Sequence, residues 1–278
     1  MSLKFCYVIG EPIQHSLSPQ IHTAGYTALK LNDEFRFLPL CVLPEHLRET
    51  VIGFKSMNVR GISVTLPHKT TVMEFVDRLD PLAEKAGAVN TIVNDDGRFT
   101  GFNTDIDGVK APLLARTQLK RKKAAVIGAG GAARAALAAL SDEGAEVTVF
   151  NRTRKTGESL SNDFGASYQP LDAHTDLLPF DIIIQSTPVG MSPSVEDSPV
   201  SSTLLANSFR SGQFVFDMIY NPLRTKFLDA AAKAGATTID GTEMFISQAA
   251  SQFKLYTGHD APISEMKTAL LEALSSRE

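Results

Sequence analysis

The sequence has few cysteines, no long apolar run and little excess charge, and each shortage argues against a class of protein. Its 278 residues include two cysteines, Cys6 and Cys41, which stand in apolar strand-like runs without acidic or histidine partners at metal-ligand spacing. We expect both to be reduced core residues, and we expect no metal site. No apolar stretch reaches the ~18 residues of a membrane-spanning helix. The N-terminus also lacks the features of a signal peptide, so a soluble cytoplasmic protein without a membrane partner is expected.

Charge of one sign is also scarce. The net charge is -4, from 27 basic and 31 acidic residues. This balance provides no broad positive field to hold a polyanion, so nucleic acid is not an expected partner. The longest basic cluster, residues 120–123, precedes an apolar strand and is predicted to be solvated. With 278 residues, the chain is long enough for two domains, and its 43% hydrophobic residues are enough to form their cores.

Strand-like and helix-like segments alternate along the chain, which predicts an α/β protein with mainly parallel sheets. In the first part, strands are predicted over residues 5–9, 35–40, 61–66 and 88–93, and helices over 20–30 and 45–55. A second alternating series begins at Ala124, with the strand-like runs AAVIG, EVTVF, DIIIQ and FVFDMIY. Two helices, over residues 244–256 and 263–274, are predicted near the end of the chain.

A dinucleotide-binding fingerprint opens the second series. The sequence AAVIGAGGAARAAL places a buried-type strand directly before Gly128 and Gly130, and an alanine-rich helix directly after them. Gly128 permits a tight turn, Gly130 lets the backbone approach a pyrophosphate, and Ala133 lets the helix pack closely on the sheet. Gly131 keeps the same loop free of a side chain. A plain turn is the alternative, but both flanking elements favour dinucleotide binding.

The next strand ends at Asn151, where an NAD-binding protein usually has an acidic residue for the ribose hydroxyls. Here the run is NRTRK, and its donors suit the 2′-phosphate of NADP: Arg152, Thr153, Arg154 and Lys155. An ordinary basic first turn is the alternative. Such a turn is unfavourable at the positive end of a helix unless an anion neutralises it, so the sequence predicts NADP(H) rather than NAD.

Four polar clusters occur at the predicted strand ends of the first domain, where open α/β sheets bind ligands. They are residues 15–19, 63–69, 88–91 and 103–105. Their hydroxyls, amides, lysine and carboxylate suit a small polyhydroxylated acid. The carboxylate of such an acid would meet Ser16 and Ser18, and its ring hydroxyls would meet Thr65, Asn90 and Asp105. Taken singly, each cluster is better explained by helix capping.

Reduction of a ketone requires a proton donor at the oxygen while hydride arrives at the carbon. Lys69 and Asp105 are predicted to face an interdomain cleft, where a lysine beside a carboxylate could give and take this proton. A structural ion pair would use the same contacts. The histidines lie near turns without a nucleophile elbow, so a Ser-His-Asp site is not supported.

Across essentially its whole length, the chain resembles the shikimate dehydrogenase family. The matching motifs, in order, are GEPIQHSLSP, GISVTLPHK, GAVNT, GFNTDIDG, GAGGAAR, NRTRK, STPVGM, DMIYNP and DGTEMFISQAA. The resemblance implies reversible NADP-dependent reduction of 3-dehydroshikimate to shikimate, in aromatic amino acid biosynthesis. It also implies a substrate domain over residues 1–105 and 241–278, a Rossmann-type NADP domain over residues 106–240, and a monomer or homodimer.

The resemblance further implies a role for individual residues. Lys69 and Asp105 would form the catalytic pair. The substrate would be held by Ser16, Ser18, Thr65, Asn90, Asp105, Tyr220 and Gln248. The cofactor would be held by Gly128, Ala129, Gly130, Gly131, Ala132 and Ala133 at the pyrophosphate, by Asn151, Arg152 and Thr153 at the 2′-phosphate, and by Met218 and Gly241 at the nicotinamide.

Two positions depart from the usual family pattern. Ser63 stands where the family usually has Asn, and Thr23 follows His22 where the family usually has His-Asn. A shorter donor near the substrate would relax or alter hydroxyl preference, so a quinate/shikimate dehydrogenase or a side-branch member with another substrate is an alternative. A non-catalytic module that senses NADP is an alternative of another class. The complete set of predicted catalytic and substrate residues disfavours it.

Overall fold

The computed structural model describes residues 3–276, which form two compact units. The first unit comprises residues 3–104 and 246–276, and the second comprises residues 105–245. Each unit is built on its own six-stranded sheet. Within the described residues, none of the helices is long and apolar enough to cross a membrane.

In the segment up to residue 104, strands and helices alternate, and the last two strands form a hairpin. Its elements are β1 Lys4–Gly10, α1 Ser18–Ala28, β2 Phe35–Cys41, α2 Leu47–Ser56, β3 Gly61–Val64, β4 Arg78–Leu79, α3 Pro81–Ala86, β5 Thr91–Asp95 and β6 Arg98–Phe102. Short 3-10 helices cover Pro44–His46 and Thr71–Phe75. The helices predicted over residues 20–30 and 45–55 therefore exist, and each has moved by about two residues, as helix ends usually do.

The remaining elements follow the predicted second series. They are α4 Asp105–Leu114, β7 Lys123–Ile127, α5 Gly131–Asp142, β8 Glu146–Asn151, α6 Arg154–Phe164, β9 Ser167–Pro170, β10 Ile182–Gln185, α7 Ser202–Leu205, β11 Phe214–Asp217, α8 Lys226–Lys233, β12 Thr237–Ile239, α9 Gly241–Thr257 and α10 Ile263–Ser275. The two terminal helices are confirmed. The boundary between the units falls inside α9, at Phe245.

The sheet of the first unit has the order β2-β1-β3-β5-β6-β4. Three pairings are parallel (β1 with β2, β1 with β3, β4 with β6), so the predicted α/β class with a mainly parallel sheet is confirmed. The pairings of β5 with β3 and β6 are antiparallel. Asp96 and Gly97 join β5 to β6 with φ of 52° and 81°, which is the backbone of a tight two-residue hairpin turn. This hairpin is not among the elements predicted from the sequence.

Both faces of this sheet are covered. One face packs against α2 through an apolar cluster that includes Val51, Phe54 and Ile62. On the other face Gly61 of β3 lies against the Tyr256 ring of α9, so closely that a Cβ on Gly61 would clash with the ring. α1 also approaches α9, because a Cβ on Gly25 would lie 2.7 Å from the Phe253 ring. These close contacts bind α9 to the sheet.

The sheet of the second unit is parallel throughout, with the order β12-β11-β10-β7-β8-β9. Taken in the sequence order of its six strands, this is the 3-2-1-4-5-6 arrangement of a Rossmann fold, in which ligands bind where the order reverses. The reversal lies between β7 and β10. The Rossmann-type architecture predicted for this part of the chain is therefore confirmed.

The two cysteines have different environments. Cys6 is buried on β1, and burial raises the pKa of its thiol to about 12. Cys41 is exposed, and its Sγ donates to Oε2 of Glu11, which raises the pKa of this thiol. The prediction that Cys41 is a core residue is wrong, because it ends the edge strand β2, where one side of the strand has no neighbour.

Candidate active site and cofactor site

The loop between β7 and α5 has a backbone that requires glycine. Gly128 has a φ of +113°, which L-residues rarely adopt, and a Cβ there would lie 2.7 Å from the Ser186 hydroxyl and 2.9 Å from the Thr187 methyl group. Its N–H donates to the Phe150 carbonyl at 2.8 Å, which fixes the loop to β8. The tight turn predicted at Gly128 is therefore present.

The N-terminus of α5 follows this turn directly. Gly130 is the N-cap residue, and no side chain caps the helix. A Cβ on Gly130 would meet no protein atom within 4 Å, so the space beside it is open. Ala133 is fully buried, as close packing of the helix on the sheet requires. The partial positive charge of an uncapped helix N-terminus, bordered by a residue without a side chain, is suited to an anion.

The residues after β8 form an exposed basic turn. The amide Nδ2 of Asn151 donates to the Thr153 carbonyl at 2.9 Å and to the Thr156 hydroxyl at 2.8 Å, so this side chain shapes the turn. Arg152 and Thr153 are exposed. Arg154 is paired with Glu158 one helical turn later, with 2.8 Å between Nε and Oε1. The two arginines of the run therefore differ, because Arg154 already has an acidic neighbour on its own helix.

A buried carboxylate supports the loop after β11. Asp217 accepts from the Thr225 hydroxyl at 2.6 Å and from the Ile219 N–H at 3.0 Å. Burial raises the pKa of Asp217 to about 6, although both hydrogen bonds oppose this. The carboxylate thereby fixes the backbone on either side of Met218.

The start of α9 lies against the same loop. Gly241 donates to the Ile219 carbonyl at 3.1 Å, and a Cβ on Gly241 would clash with the backbone of Met218 and Ile219. The Tyr220 ring stacks on Phe245, with 4.9 Å between ring centroids. The structure thus brings together three residues that the sequence analysis assigned to the nicotinamide and substrate regions: Met218, Gly241 and Tyr220.

In the first unit, two serines meet at the start of α1. Ser18 is the first helical residue, and its N–H donates to the Ser16 hydroxyl at 3.3 Å. Ser18 is buried and Ser16 is partly exposed. Pro19 follows at the position where a helix tolerates proline, as the sequence predicts. The two predicted carboxylate-binding residues are therefore neighbours.

The loop after β3 carries Thr65 and Lys69. The Thr65 N–H donates to the Ile9 carbonyl at 2.9 Å, and the Lys69 carbonyl accepts from Val89 N–H at 2.7 Å. His68 is buried, and its Nε2 lies 2.7 Å from the Val42 carbonyl oxygen. The backbone under Lys69 is therefore fixed on both sides. The strand predicted over residues 61–66 ends at Val64, and the turn after Lys69 is a 3-10 helix rather than an α-helix.

Asn90 is held by several hydrogen bonds directly before β5. Its Oδ1 accepts from the Thr104 N–H at 2.7 Å and from the Thr91 hydroxyl at 2.7 Å. Its Nδ2 donates to the Thr104 hydroxyl at 3.0 Å. The strand predicted over residues 88–93 begins at Thr91, because the Val89 N–H bonds to the Lys69 loop instead of to a neighbouring strand. Gln248, on α9, is also buried.

Two residues on α9 were not singled out from the sequence. The Nε2 of Gln252 donates to the Thr91 hydroxyl at 2.9 Å, and its Oε1 accepts from the Ser63 hydroxyl at 2.9 Å. The Tyr256 hydroxyl lies 2.9 Å from the Ser63 hydroxyl. The spacing of four residues from Gln248 to Gln252 and then to Tyr256 is the signal that could have identified them, since it places all three on one helix face.

The predicted site residues are divided between the units. The first unit holds Ser16, Ser18, Thr65, Lys69, Asn90 and Gln248. The second unit holds Asp105, Tyr220 and the predicted cofactor residues. Asp105 is buried and is the first residue of α4, as predicted. Within the part of the chain that the structure describes, no three His, Cys, Asp or Glu side chains are grouped to hold a metal ion.

Family models match most of the chain. Residues 8–92 match the shikimate dehydrogenase substrate binding domain, residues 113–223 match shikimate / quinate 5-dehydrogenase, and residues 241–271 match the shikimate 5′-dehydrogenase C-terminal domain. The three matches follow one another in the order that the motifs indicate.

Individual proteins are similar over their full lengths. The shikimate dehydrogenase (NADP+) of Methanosarcina acetivorans is 40% identical over 281 residues, which cover 97% of this chain and 98% of that protein. A crystal structure of shikimate 5-dehydrogenase from Thermus thermophilus in complex with NADP(H) and shikimate is 34% identical, with a TM-score of 0.89 over 98% of this chain and 100% of that one. The 5-ketofructose reductase of Gluconobacter sp. strain CHM43 is 27% identical, with a TM-score of 0.88 over 98% and 99% of the two chains.

Proposed function

Because the chain belongs to the shikimate dehydrogenase family, we propose that it interconverts 3-dehydroshikimate and shikimate with NADP(H) as cofactor. The observation that carries this proposal is the combination, in one chain, of a glycine-lined helix N-terminus on a Rossmann sheet and a set of buried amide and hydroxyl groups around Asn90. The first suits a dinucleotide. The second suits a small polyhydroxylated ring.

The cofactor fits the second unit on two observations. The pyrophosphate would lie at the uncapped N-terminus of α5, beside Gly130, where a side chain would take up the open space. The 2′-phosphate would meet the exposed Arg152 and Thr153 at the end of β8. The carboxyl end of β8 is where a Rossmann fold recognises the adenosine ribose. Bound NADPH supplies the hydride that adds to the ketone carbon.

The substrate residues would act through their hydrogen-bonding groups. Ser16 and Ser18, which are hydrogen-bonded to each other at the start of α1, would hold the carboxylate. The ring hydroxyls would be held by Thr65, Asn90, Asp105 and Gln248, with Tyr220 beside them. Residues 1–105 with 241–278 would thus be the substrate domain, and residues 106–240 the cofactor domain. Met218 and Gly241 would contact the nicotinamide.

Lys69 and Asp105 would form the catalytic pair. In the reductive direction, the Lys69 ammonium gives a proton to the carbonyl oxygen as hydride reaches the carbon, which completes the alcohol. In the oxidative direction, Lys69 takes the hydroxyl proton. The Asp105 carboxylate would orient the lysine and the substrate hydroxyl that reacts. The hydrogen bond from Val89 N–H to the Lys69 carbonyl supports this role, because it fixes the backbone from which the side chain extends.

The test is the reduction of nicotinamide, followed by absorbance, with four combinations: shikimate or quinate, each with NADP or NAD. The proposal expects rapid reduction with shikimate and NADP, and slow reduction in the other three. Oxidation of quinate as fast as shikimate would show that the site does not distinguish shikimate from quinate. Equal use of NAD would contradict the role of Arg152. No activity in any combination would contradict the proposed reaction.

A second candidate is reduction of a different polyhydroxylated ketone. It rests on the similarity to the 5-ketofructose reductase and on Ser63, which stands where the family usually has Asn. The test is NADPH oxidation with 5-ketofructose beside 3-dehydroshikimate. This candidate is supported if kcat/KM is higher for 5-ketofructose, and it is contradicted if 5-ketofructose is not reduced.

A further inference from the structure

We propose that Gln252 is a positioning residue that fixes the orientation of the Asn90 amide through Thr91, and so sets the affinity of the site for the ring hydroxyl that Asn90 binds. This inference rests on the proposed function, because it takes Asn90 as a substrate residue. Gln252 itself is 2% exposed and is separated from Asn90 Oδ1 by one hydroxyl group.

The directions of the hydrogen bonds follow from the chemistry of the amides. The Oε1 of an amide can only accept, so the Ser63 hydroxyl donates its one hydrogen to Gln252. The Tyr256 hydroxyl must then donate to Ser63 Oγ, at 2.9 Å. Burial raises the Tyr256 pKa well above its usual value, so this hydroxyl keeps its proton.

The second half of the chain of bonds runs in the same direction. Gln252 Nε2 donates to the Thr91 hydroxyl at 2.9 Å, and Thr91 donates to Asn90 Oδ1 at 2.7 Å. Ser63, Gln252 and Thr91 thus each receive a hydrogen from one neighbour and give one to the next. We name these five side chains the donor chain: Tyr256, Ser63, Gln252, Thr91 and Asn90.

The donor chain fixes which end of the Asn90 amide faces a ligand. Asn90 Oδ1 accepts from Thr91 and from the Thr104 N–H, so the oxygen is directed into the protein. Rotation of the amide by 180° would place its NH2 group against these two donors and leave buried hydrogens without acceptors, which costs roughly 1–3 kcal/mol. The Nδ2 end is thereby held on the opposite side, where one of its hydrogens goes to the Thr104 hydroxyl at 3.0 Å and the other would be donated to a hydroxyl oxygen of the substrate.

Gln252 is the member that keeps this order, because it is the only amide between two hydroxyl groups of the donor chain. Without it, the Thr91 hydroxyl loses the amide that donates to it. It can then turn its hydrogen towards the Thr104 hydroxyl, 3.2 Å away, and Asn90 Oδ1 loses a directed donor. Four of the members lie on three elements, α9, β3 and β5, and Asn90 directly precedes β5, so they cannot shift together as one local turn. Hydrogen bonds linked in this way strengthen one another.

The experiment measures steady-state kinetics of the full chain with shikimate and NADP for wild type and Gln252→Leu, which keeps the side-chain size but removes the amide. We expect the KM for shikimate to rise at least about fivefold, as loss of one net hydrogen bond predicts. We expect the KM for NADP to change less than twofold and kcat to change little, because a contact made equally in the ground state and transition state affects KM.

A double-mutant cycle distinguishes positioning from a general packing effect. In an Asn90→Ala background, Gln252→Leu should raise the KM for shikimate less than about twofold further, because the amide that it orients is gone. An equal effect in both backgrounds would overturn the proposal and assign Gln252 to packing of α9. Gln213→Leu is the matched control, since Gln213 is an equally buried glutamine that donates to the Leu177 and Phe180 carbonyls in the other unit. It should lower the thermal midpoint and leave both KM values unchanged.

A smaller substitution covers the case in which Gln252→Leu does not fold. Ser63→Ala keeps the volume of the core almost unchanged and removes the donor to Gln252 Oε1, so it should raise the KM for shikimate about two- to threefold. If wild type oxidises shikimate and the folded variants share its KM, the inference is wrong while the proposed function stands. If wild type itself has no activity with shikimate, the proposed function fails, and the inference fails with it.

Discussion

The candidate substrate site of the first unit and the cofactor loop of the second offer different kinds of atoms to a ligand. Around Asn90 the groups are side-chain amides and hydroxyls, and they are buried and hydrogen-bonded to one another. At Gly128 and Gly130 the groups are backbone N–H at an uncapped helix N-terminus, followed by exposed cations such as Arg152.

This difference matches two kinds of recognition. A ring with several hydroxyl groups is distinguished by directed hydrogen-bond donors and acceptors, which must be held rigidly. A phosphate is distinguished by charge and by close approach of the backbone, so small residues serve it better than large ones. Substitutions in the first site should therefore affect chemistry and core stability together. Substitutions in the second should affect cofactor affinity and leave most of the fold intact.

The largest expected effect tests whether the first unit carries the chemistry. Lys69→Ala should lower kcat at least ~100-fold, the lower end of a general acid-base contribution, while the Kd of NADP stays within about twofold. Stopped assays of shikimate oxidation measure the first value, and fluorescence titration with NADPH measures the second. Lys267→Ala, at an exposed lysine on α10, is the control and should change neither. Unchanged turnover in Lys69→Ala would remove Lys69 from the mechanism.

The next expected effect concerns the response of each unit to acid. In the first unit, His22 is fully buried and stacked on Phe37, and burial lowers its pKa to about 3. Neither ring nitrogen has a hydrogen-bond partner among the described residues, although the Gln252 side chain is near enough to favour the protonated ring slightly. Below about pH 6.5 the unfolded chain binds a proton at this position and the folded chain does not. Unfolding therefore becomes more favourable as the pH falls.

Asp217, in the second unit, has the opposite sign. Its folded-state pKa of about 6 lies above its ordinary value of 3.8, so the folded chain holds a proton that the unfolded chain releases, and stability rises as the pH falls from about 6 to 4. Between pH 6.5 and 5, the free energy of unfolding of His22→Phe should fall about 2 kcal/mol less than that of wild type. Between pH 6 and 4, the free energy of unfolding of Asp217→Asn should rise about 2 kcal/mol less than that of wild type. Urea unfolding followed by circular dichroism measures both, with His259→Gln, at an exposed histidine, as control. If both substitutions changed the pH dependence of the free energy of unfolding in the same direction, the two units would not respond oppositely to acid.

The Rossmann unit was predictable because its signals are local. The strand before Gly128, the glycine turn and the alanine-rich helix are contiguous in sequence, and each reflects a constraint within a few residues. The same holds for the start of α1 at Ser18 and Pro19, and for Asp105 at the start of α4. The order of the nine family motifs then identified the family, which the family models confirm.

The parts that were not predicted depend on contacts that are distant in sequence. Cys41 lies in an apolar run, but its exposure depends on β2 being the edge strand. The role of Gln252 depends on α9 crossing the sheet next to β3 and β5, about 160 residues earlier in the chain, as its bond to Thr91 shows. Ser63 was expected near the substrate, and its hydrogen bonds to Gln252 and Tyr256, both on α9, were not predicted. A pattern of residue types alone does not contain this information.

In the cofactor loop, substitutions at Gly128 and Gly130 should distinguish effects on stability from effects on cofactor binding. Gly130→Ala should raise the KM for NADP about tenfold, because its Cβ would occupy the approach of the pyrophosphate. It should lower the thermal midpoint only slightly, because the Cβ meets open space in the protein and the one loss is that of a preferred N-cap residue. Gly128→Ala should raise the KM for NADP and also lower the midpoint, because its φ of +113° and the Ser186 contact oppose a side chain. Gly144→Ala is the control for backbone strain, since Gly144 has a φ of +75° in a turn outside the loop. It should lower the midpoint alone. If Gly130→Ala left the KM for NADP unchanged, the pyrophosphate would not lie beside Gly130.

The smallest expected effect compares the two arginines of the basic turn. Arg152→Gln should lower the ratio of kcat/KM for NADP to that for NAD about fivefold, because an exposed guanidinium facing a dianion is partly screened by solvent. Arg154→Gln should change the ratio less than twofold, because Arg154 is 81% exposed and paired with Glu158. Raising the salt concentration should reduce the preference of wild type for NADP towards that of Arg152→Gln, since screening weakens the same charge interaction. A larger loss in Arg154→Gln than in Arg152→Gln would assign the 2′-phosphate to the other arginine, and would show that Glu158 does not prevent Arg154 from binding it.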